Sequence, residues 1–139
     1  YGLGGRNLNS EWETEVASYK GITVSGYPNY FKLNGPNTGT GHSSQLSYME
    51  AATGYIVQAI RAVKRDASIQ AIDARPELQE AYVANMRRKM RNTVWQNAAC
   101  TAFYRRNMTE EVTSLSPEPV TGFILSRKWF RLSDYRLLK

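Results

Sequence analysis

The residues best placed to do chemistry lie together, from Gly35 to Ser44, where the chain reads Gly-Pro-Asn-Thr-Gly-Thr-Gly-His-Ser-Ser. Nearly every one of these residue types turns the backbone or caps a helix. A strand that runs through such a turn into a helix leaves several backbone N–H groups unpaired. They point outward, backed by the positive end of the helix dipole. That arrangement attracts anionic or electron-rich groups. Glycines at 35, 39 and 41 let the backbone approach a flat ligand closely, because no side chain intervenes. In an open α/β sheet ligands settle beyond the C-terminal ends of the strands, which is where Gly35 is expected to sit.

Two rivals compete for this turn. A phosphate-cradling P-loop needs Gly-x-x-x-x-Gly-Lys-Ser/Thr, but Pro36 stands where its first glycine belongs and His42 replaces the lysine. That reading is rejected. A purely structural turn with a well-capped helix is the reading that the pattern alone favours, because glycine-rich turns before helices are common. His42 is the chain's one histidine. It reads as a hydrogen-bonding or packing residue at a helix start, with no second histidine or partner cysteine for a metal and no spacing that argues for a Ser-His-Asp arrangement. Cys100 reads as a small buried hydrophobe, and the glycosylation-like triplet Asn107-Met108-Thr109 as a chance match.

The surrounding elements follow from periodicity and punctuation. Tyr1 to Trp12 is glycine-rich and then polar, and reads as a loop. Lys20 to Gly26 predicts a short strand or extended segment, Tyr27-Pro28-Asn29 a turn, and Tyr30 to Asn34 a strand that stops at Gly35-Pro36. A long helix begins near Ser43 or Ser44, with Ser47 to Glu50 also fitting a capping box. Leu46, Met49, Ile56, Ile60 and Val63 share one face and Tyr48, Ala52, Tyr55 and Ala59 a neighbouring one, so the helix is expected to be buried on two sides. Ser68 to Ile72 predicts a short strand. Arg75-Pro76-Glu77 opens a second helix running to about Gln96 or Ala99, with Leu78, Tyr82, Met86, Met90 and Val94 as its apolar stripe. Cys100 to Tyr104 and Gly122 to Leu125 read as strands, separated by a polar loop from Asn107 to Val120. A basic aromatic tail, Arg127 to Phe130, follows.

The 139 residues are about 42% hydrophobic, enough for one domain with a real core. The net charge of +6 raises the question of nucleic acid. The densest basic run, Arg87-Arg88-Lys89 with Arg91, falls largely off the apolar stripe and reads as a solvated helix face, and no nucleic-acid module accompanies it. No apolar run approaches the roughly 18 to 20 residues that a membrane span needs. One cysteine fits a reducing compartment, and the expected location is cytoplasmic. The sequence begins at Tyr1 without a lead-in and reads as cut from something longer.

The stretch from Gly26-Tyr27-Pro28-Asn29-Tyr30-Phe31 through Leu33-Asn34-Gly35-Pro36-Asn37-Thr38 to Gly41-His42-Ser43-Ser44, continuing to Glu50 and Tyr55-Ile56, resembles the Baeyer-Villiger and flavin-containing monooxygenases. In that family the segment reads approximately G-F-P-N-L-F-x-L-x-G-P-N-T-x-x-G-H-x-S. Gly5-Arg6-Asn7-Leu8, Trp12 and Tyr19 to Val24 resemble its lead-in, and Thr93-Val94-Trp95 with Cys100 and Phe103-Tyr104 its T-V-W and C-S-W-Y region. Cys100-Thr101-Ala102-Phe103-Tyr104 departs from the second of these.

The resemblance implies an α/β fold: the C-terminal fragment of a Rossmann-like FAD-binding domain, with return strand, glycine-rich turn and long helix, then a second helix and short strands. Residues 1–139 would be part of a two-dinucleotide flavoprotein whose NADPH domain and N-terminal FAD half lie upstream with both G-x-G-x-x-G fingerprints. It implies FAD and NADPH as cofactors. Gly35, Asn37, Thr38, His42, Ser43, Ser44 and Gln45 would lie against the isoalloxazine ring. The activity implied is oxidation of ketones or of nitrogen and sulfur nucleophiles through a flavin peroxide, with a small organic substrate and O2 as partners. The alternative is a non-catalytic truncated remnant or a basic binding module.

Overall fold

The computed structural model describes residues 1–97, 104–105 and 111–139. Its centre is α2, Gln45–Arg65, a helix of 21 residues. Ala51, Ala52, Ala59 and Ala62 favour it, and Lys64 and Arg65 complete its last turn with charges that suit the negative end of the dipole. Tyr48, Ala52, Tyr55 and Ala59 form its buried face. On these pack Tyr19, Ile22, Ile69, Ile72, Ala74 and Tyr135, the main core. Helix α5, Val120–Arg127, lies against α2, with Phe123 and Tyr48 in ring contact at 4.1 Å.

The expected second buried face of α2 is not closed. Leu46 is 69% exposed and Ile60 46%, because no element among the described residues lies over them, while Ile56 and Val63 are partly covered by the core.

Among the described residues there is one two-stranded antiparallel sheet, β1 Ala71–Ala74 with β2 Tyr135–Leu138, in the register Ala71 to Leu138. The Tyr-Pro-Asn turn fastens onto β1. Asn29, at φ +55°, accepts from the Ile72 amide with Oδ1 at 3.1 Å and donates to the Ile72 and Gln70 carbonyls from its amide and Nδ2. Asp73 is buried in β1, where it accepts from Gly26 N at 2.7 Å and pairs with Arg136.

Several expectations are corrected. The return strand over residues 30–34 is absent. Residues 19–23 close on themselves in a tight turn, Tyr19 N to Thr23 O 2.7 Å, with Lys20 and Gly21 both at positive φ. They therefore offer the following segment only one bond, Lys32 N to Ile22 O. The opening is not all loop: Leu3–Gly5 is a 3-10 turn and Leu8–Thr14 is helix α1, capped by the Asn7 side chain. The strand expected at Ser68 to Ile72 starts at Ala71 instead, after a turn held by Asp66.

Helix α3, Pro76–Met90, stops short of Gln96 because Thr93 turns back to the Met90 carbonyl with both amide and hydroxyl; the short α4, Val94–Asn97, follows. Val94 drops off the stripe and is 77% exposed. Gly122 to Leu125 is helical, not extended. Pro119 opens the helix, and Phe123 and Arg127, four apart, are both buried on one side. The strand expected from Cys100 lies outside the described residues except Tyr104, as do Cys100 itself and Asn107-Met108-Thr109.

Candidate functional site

The glycine-rich turn is held from behind by the segment that the sequence marks only as a polar loop. Asn37 N donates to Thr113 O at 2.7 Å, Gly39 N to Ser114 O at 2.8 Å and Ser116 N to Gly39 O at 2.7 Å, with Asn37 Nδ2 reaching Leu115 O. This is a short parallel bridge rather than the end of a sheet. Val112 and Leu115 anchor it in a small core with Met90, packed by Trp95 and Tyr104. Two apolar residues in a polar run were the available sequence signal.

Inside the turn, Thr38 is fully buried. Its hydroxyl lies 2.7 Å from Gly35 O and 3.0 Å from Asn34 Oδ1, sharing its proton between them. Gln45 turns its side chain inward. Nε2 donates to Thr38 O and Asn34 Oδ1, both at 3.2 Å, while Oε1 accepts from Thr40 N. Thr40 Oγ1 donates to Ser43 O at 2.6 Å. Asn37, at φ +57°, and Gly35, against the Gly21 carbonyl, shape the bend. The amides of Asn37, Gly39 and Thr40 are thus used within the chain.

The donors that remain belong to the start of α2. Ser44 is its N-cap in extended conformation, and its side chain makes no capping bond. The expected capping box from Ser47 to Glu50 does not form, since the helix has already begun at Gln45. Ser43 Oγ is buried and has no partner among the described residues. His42 stands at the lip and stacks on Trp95, ring centroids 6.1 Å apart with 20° between the planes. Beside them runs a groove of about 420 Å³ walled by Val94, Trp95, Pro117, Pro119 and Val120. Glu118 borders it too, but its carboxylate is paired with Arg127 and Lys89, so the groove is apolar.

Of the seven sequence-selected residues, His42, Ser43 and Ser44 therefore sit at the open helix start. Gly35, Asn37, Thr38 and Gln45 build the frame behind it. A larger hollow of about 520 Å³ lies beside α1, between Arg6, Glu11, Trp12 and Gln79, and does not include the turn.

No protein-family model matches the chain. Its sequence is 31% identical over 137 residues to a Baeyer-Villiger monooxygenase of Pseudomonas aeruginosa, covering 99% of this chain and 26% of that protein. It is 32% identical over 143 residues to the FAD-binding monooxygenase ktnD of Aspergillus niger, covering 99% of this chain and 23% of that protein. The chain is thus similar over nearly its whole length to Baeyer-Villiger and FAD-binding monooxygenases. It spans about a quarter of the length of the curated relatives it matches. The fold agrees: oxidized steroid monooxygenase bound to NADP superposes with a TM-score of 0.77 at 20% identity, covering 99% of this chain and 26% of that one.

The sequence reading missed Arg127 and Glu118. Arg127, read as the first residue of a basic aromatic tail, is 0% exposed. Five donor contacts account for that: Nε to Lys20 O, Nη1 to Glu118 Oε2, Phe123 O and Ser126 Oγ, and Nη2 to Tyr82 OH. Its guanidinium also lies 3.4 Å above the Phe123 ring. Burial raises the Tyr82 hydroxyl to about 12. The basic run on α3 is likewise committed inside the chain. Arg87 pairs with Glu15 and Glu111, and Lys89 with Glu118, whereas Arg88 is exposed.

Proposed function

We propose that this chain is the C-terminal portion of the FAD-binding domain of an NADPH-dependent monooxygenase, and that the open start of α2 receives the flavin ring. The observation that carries the reading is the helix N-terminus without a side-chain cap beside the buried Ser43 hydroxyl, which has no partner among the described residues, at the edge of a turn braced from behind. Backbone N–H groups aimed outward from a helix start fit the electron-rich pyrimidine edge of a flavin, and the dipole behind them favours negative charge there. FAD, when bound, supplies the redox chemistry and the activation of O2.

The chain's own residues do the positioning. Ser43, Ser44 and the amides at the start of α2 bind and orient the ring; Thr38, Asn34 and Gln45 keep the turn from collapsing into that space. His42 and Trp95 form a wall that keeps water from the ring's edge. The apolar groove between Trp95, Pro117 and Pro119 offers room for an uncharged organic substrate, a ketone or a nitrogen or sulfur nucleophile. Two similar proteins support the cofactors: one is an FAD-binding monooxygenase by name, and the structure of the other is bound to NADP.

The test is cofactor retention by the complete protein that contains this chain. Ser44→Trp fills the helix start, and the flavin-to-protein absorbance ratio after gel filtration is expected to fall severalfold. An unchanged ratio contradicts the reading.

A further inference from the structure

Among the described residues one arginine, Arg127, is fully buried, and its contacts lead to the glycine-rich turn by two routes. On one side, Arg127 Nε donates to the Lys20 carbonyl at 2.9 Å. The next residue, Gly21, packs so closely on the turn that a Cβ there would meet Thr38 Cγ2 and the Pro36 carbonyl, and its own carbonyl fills the space a Cβ on Gly35 would need. On the other side, Nη1 donates to Glu118 Oε2 at 3.2 Å. The Glu118 amide donates to Ser116 Oγ at 3.2 Å, and Ser116 N holds the Gly39 carbonyl. Two chains of contacts therefore leave one guanidinium and reach the turn at two separate places, at residues 35–38 and at Gly39. A planar guanidinium with five N–H donors in a fixed fork can hold two directions at once; an ammonium on a flexible stem cannot hold both in the same geometry.

We infer that Arg127 is a positioning residue that clamps the two walls of the turn through Lys20 and Glu118, and so sets the shape of the space in which the flavin ring is held. The clamp itself stands on the contacts within this chain, and its effect on cofactor binding rests on the flavin reading above. Other groups pack against the same guanidinium. Tyr82 accepts from Nη2 at 2.7 Å; its ring meets that of Tyr19, but among the described residues its hydroxyl bonds neither Lys20 nor Glu118, so removing the hydroxyl alone supplies an internal control. Lys89, at 3.1 Å from Glu118 Oε1, remains a partner of the carboxylate when Arg127 is replaced.

The experiment compares Arg127→Lys, Glu118→Gln and Tyr82→Phe by amide hydrogen exchange, in the complete protein with and without FAD. All three disturb one buried hydrogen-bond cluster, so all are expected to lose some stability. Only the first two release a wall. The expected result is that the Asn37 and Gly39 amides exchange about tenfold faster in Arg127→Lys and Glu118→Gln than in Tyr82→Phe, with α3 and β1 unchanged between the three. FAD affinity falls in the same two variants.

Equal acceleration in all three, or acceleration spread evenly over α3 and β1, would overturn the clamp and leave Arg127 as a packing residue. If the exchange pattern appears as expected while the unaltered protein binds no FAD, the clamp stands and the flavin reading fails.

Discussion

Trp95 and His42 lie nearly parallel at the lip of the turn, 6.1 Å between centroids. The indole also occupies the space into which any side chain at position 41 would project, meeting a Cβ there at Cζ2. Glycine at 41 is thus required by Trp95 and not by its own backbone angles, which are not among the positive-φ positions. Gly41→Val is expected to push the indole off His42 and widen the turn. A red-shifted tryptophan emission and loss of bound flavin from the complete protein would check this; a variant with wild-type flavin content and emission would refute it.

Thr38 gives a cleaner thermodynamic test. Its hydroxyl is buried and shared between Gly35 O and Asn34 Oδ1. Thr38→Val keeps the shape and removes the donor, leaving buried acceptors less well satisfied. The expected loss is about 1 to 3 kcal/mol in urea unfolding, with little change in the denaturant slope.

How much of this was legible beforehand depends on whether a feature is local. Ser44 as helix start, Pro76 at the opening of α3 and Tyr27-Pro28-Asn29 as a turn are set by neighbours in the chain, and the structure has each of them. The return strand failed because strand formation needs a partner, and residues 19–23 fold on themselves instead. Gly122 to Leu125 failed because Phe-Ile-Leu suits a strand as well as a helix; burial of Phe123 and Arg127 on one side decided for the helix. The site was half legible. Glycines, His42, Ser43 and Ser44 announce an open helix start, but the bracing of their turn comes from residues 113–116 and Arg127, far along the chain. No local signal links the two.

Gly21 tests how tightly the walls meet. It sits at φ +71° with no room for a methyl group between Thr38 and the Pro36 carbonyl. Gly21→Ala therefore carries both a conformational penalty and a clash, and is expected to cost about 2 kcal/mol or more. A thermal-melt shift of only a fraction of a degree would show that the turn relaxes freely.

Alkaline pH acts on the tyrosine core. Burial raises the hydroxyl groups of Tyr19, Tyr55, Tyr82 and Tyr135 above their ordinary 10.0. Each is protonated in both states below 10, so its contribution is complete there. Above 10 the unfolded chain loses these protons first, and stability falls as pH rises toward the folded values, by about 1.4 kcal/mol per pH unit for each group involved. Lys20 works in the opposite direction, since burial lowers its ammonium and folding is eased as pH rises toward 10.5. Four tyrosines outweigh one lysine. Tyrosinate absorbance is expected to appear together with unfolding, and Tyr55→Phe to flatten the decline; tyrosinate appearing in a still-folded protein would contradict this.

The account turns on the open start of α2 holding a flavin ring, and amide chemical shifts report on that most directly. With 15N-labelled complete protein titrated with FAD, the largest shift changes are expected at His42, Ser43, Ser44 and Gln45, with Asn37 and Gly39, already bonded to Thr113 and Ser114, moving less. Saturable FAD binding that leaves the amides of residues 41–47 unmoved would contradict it.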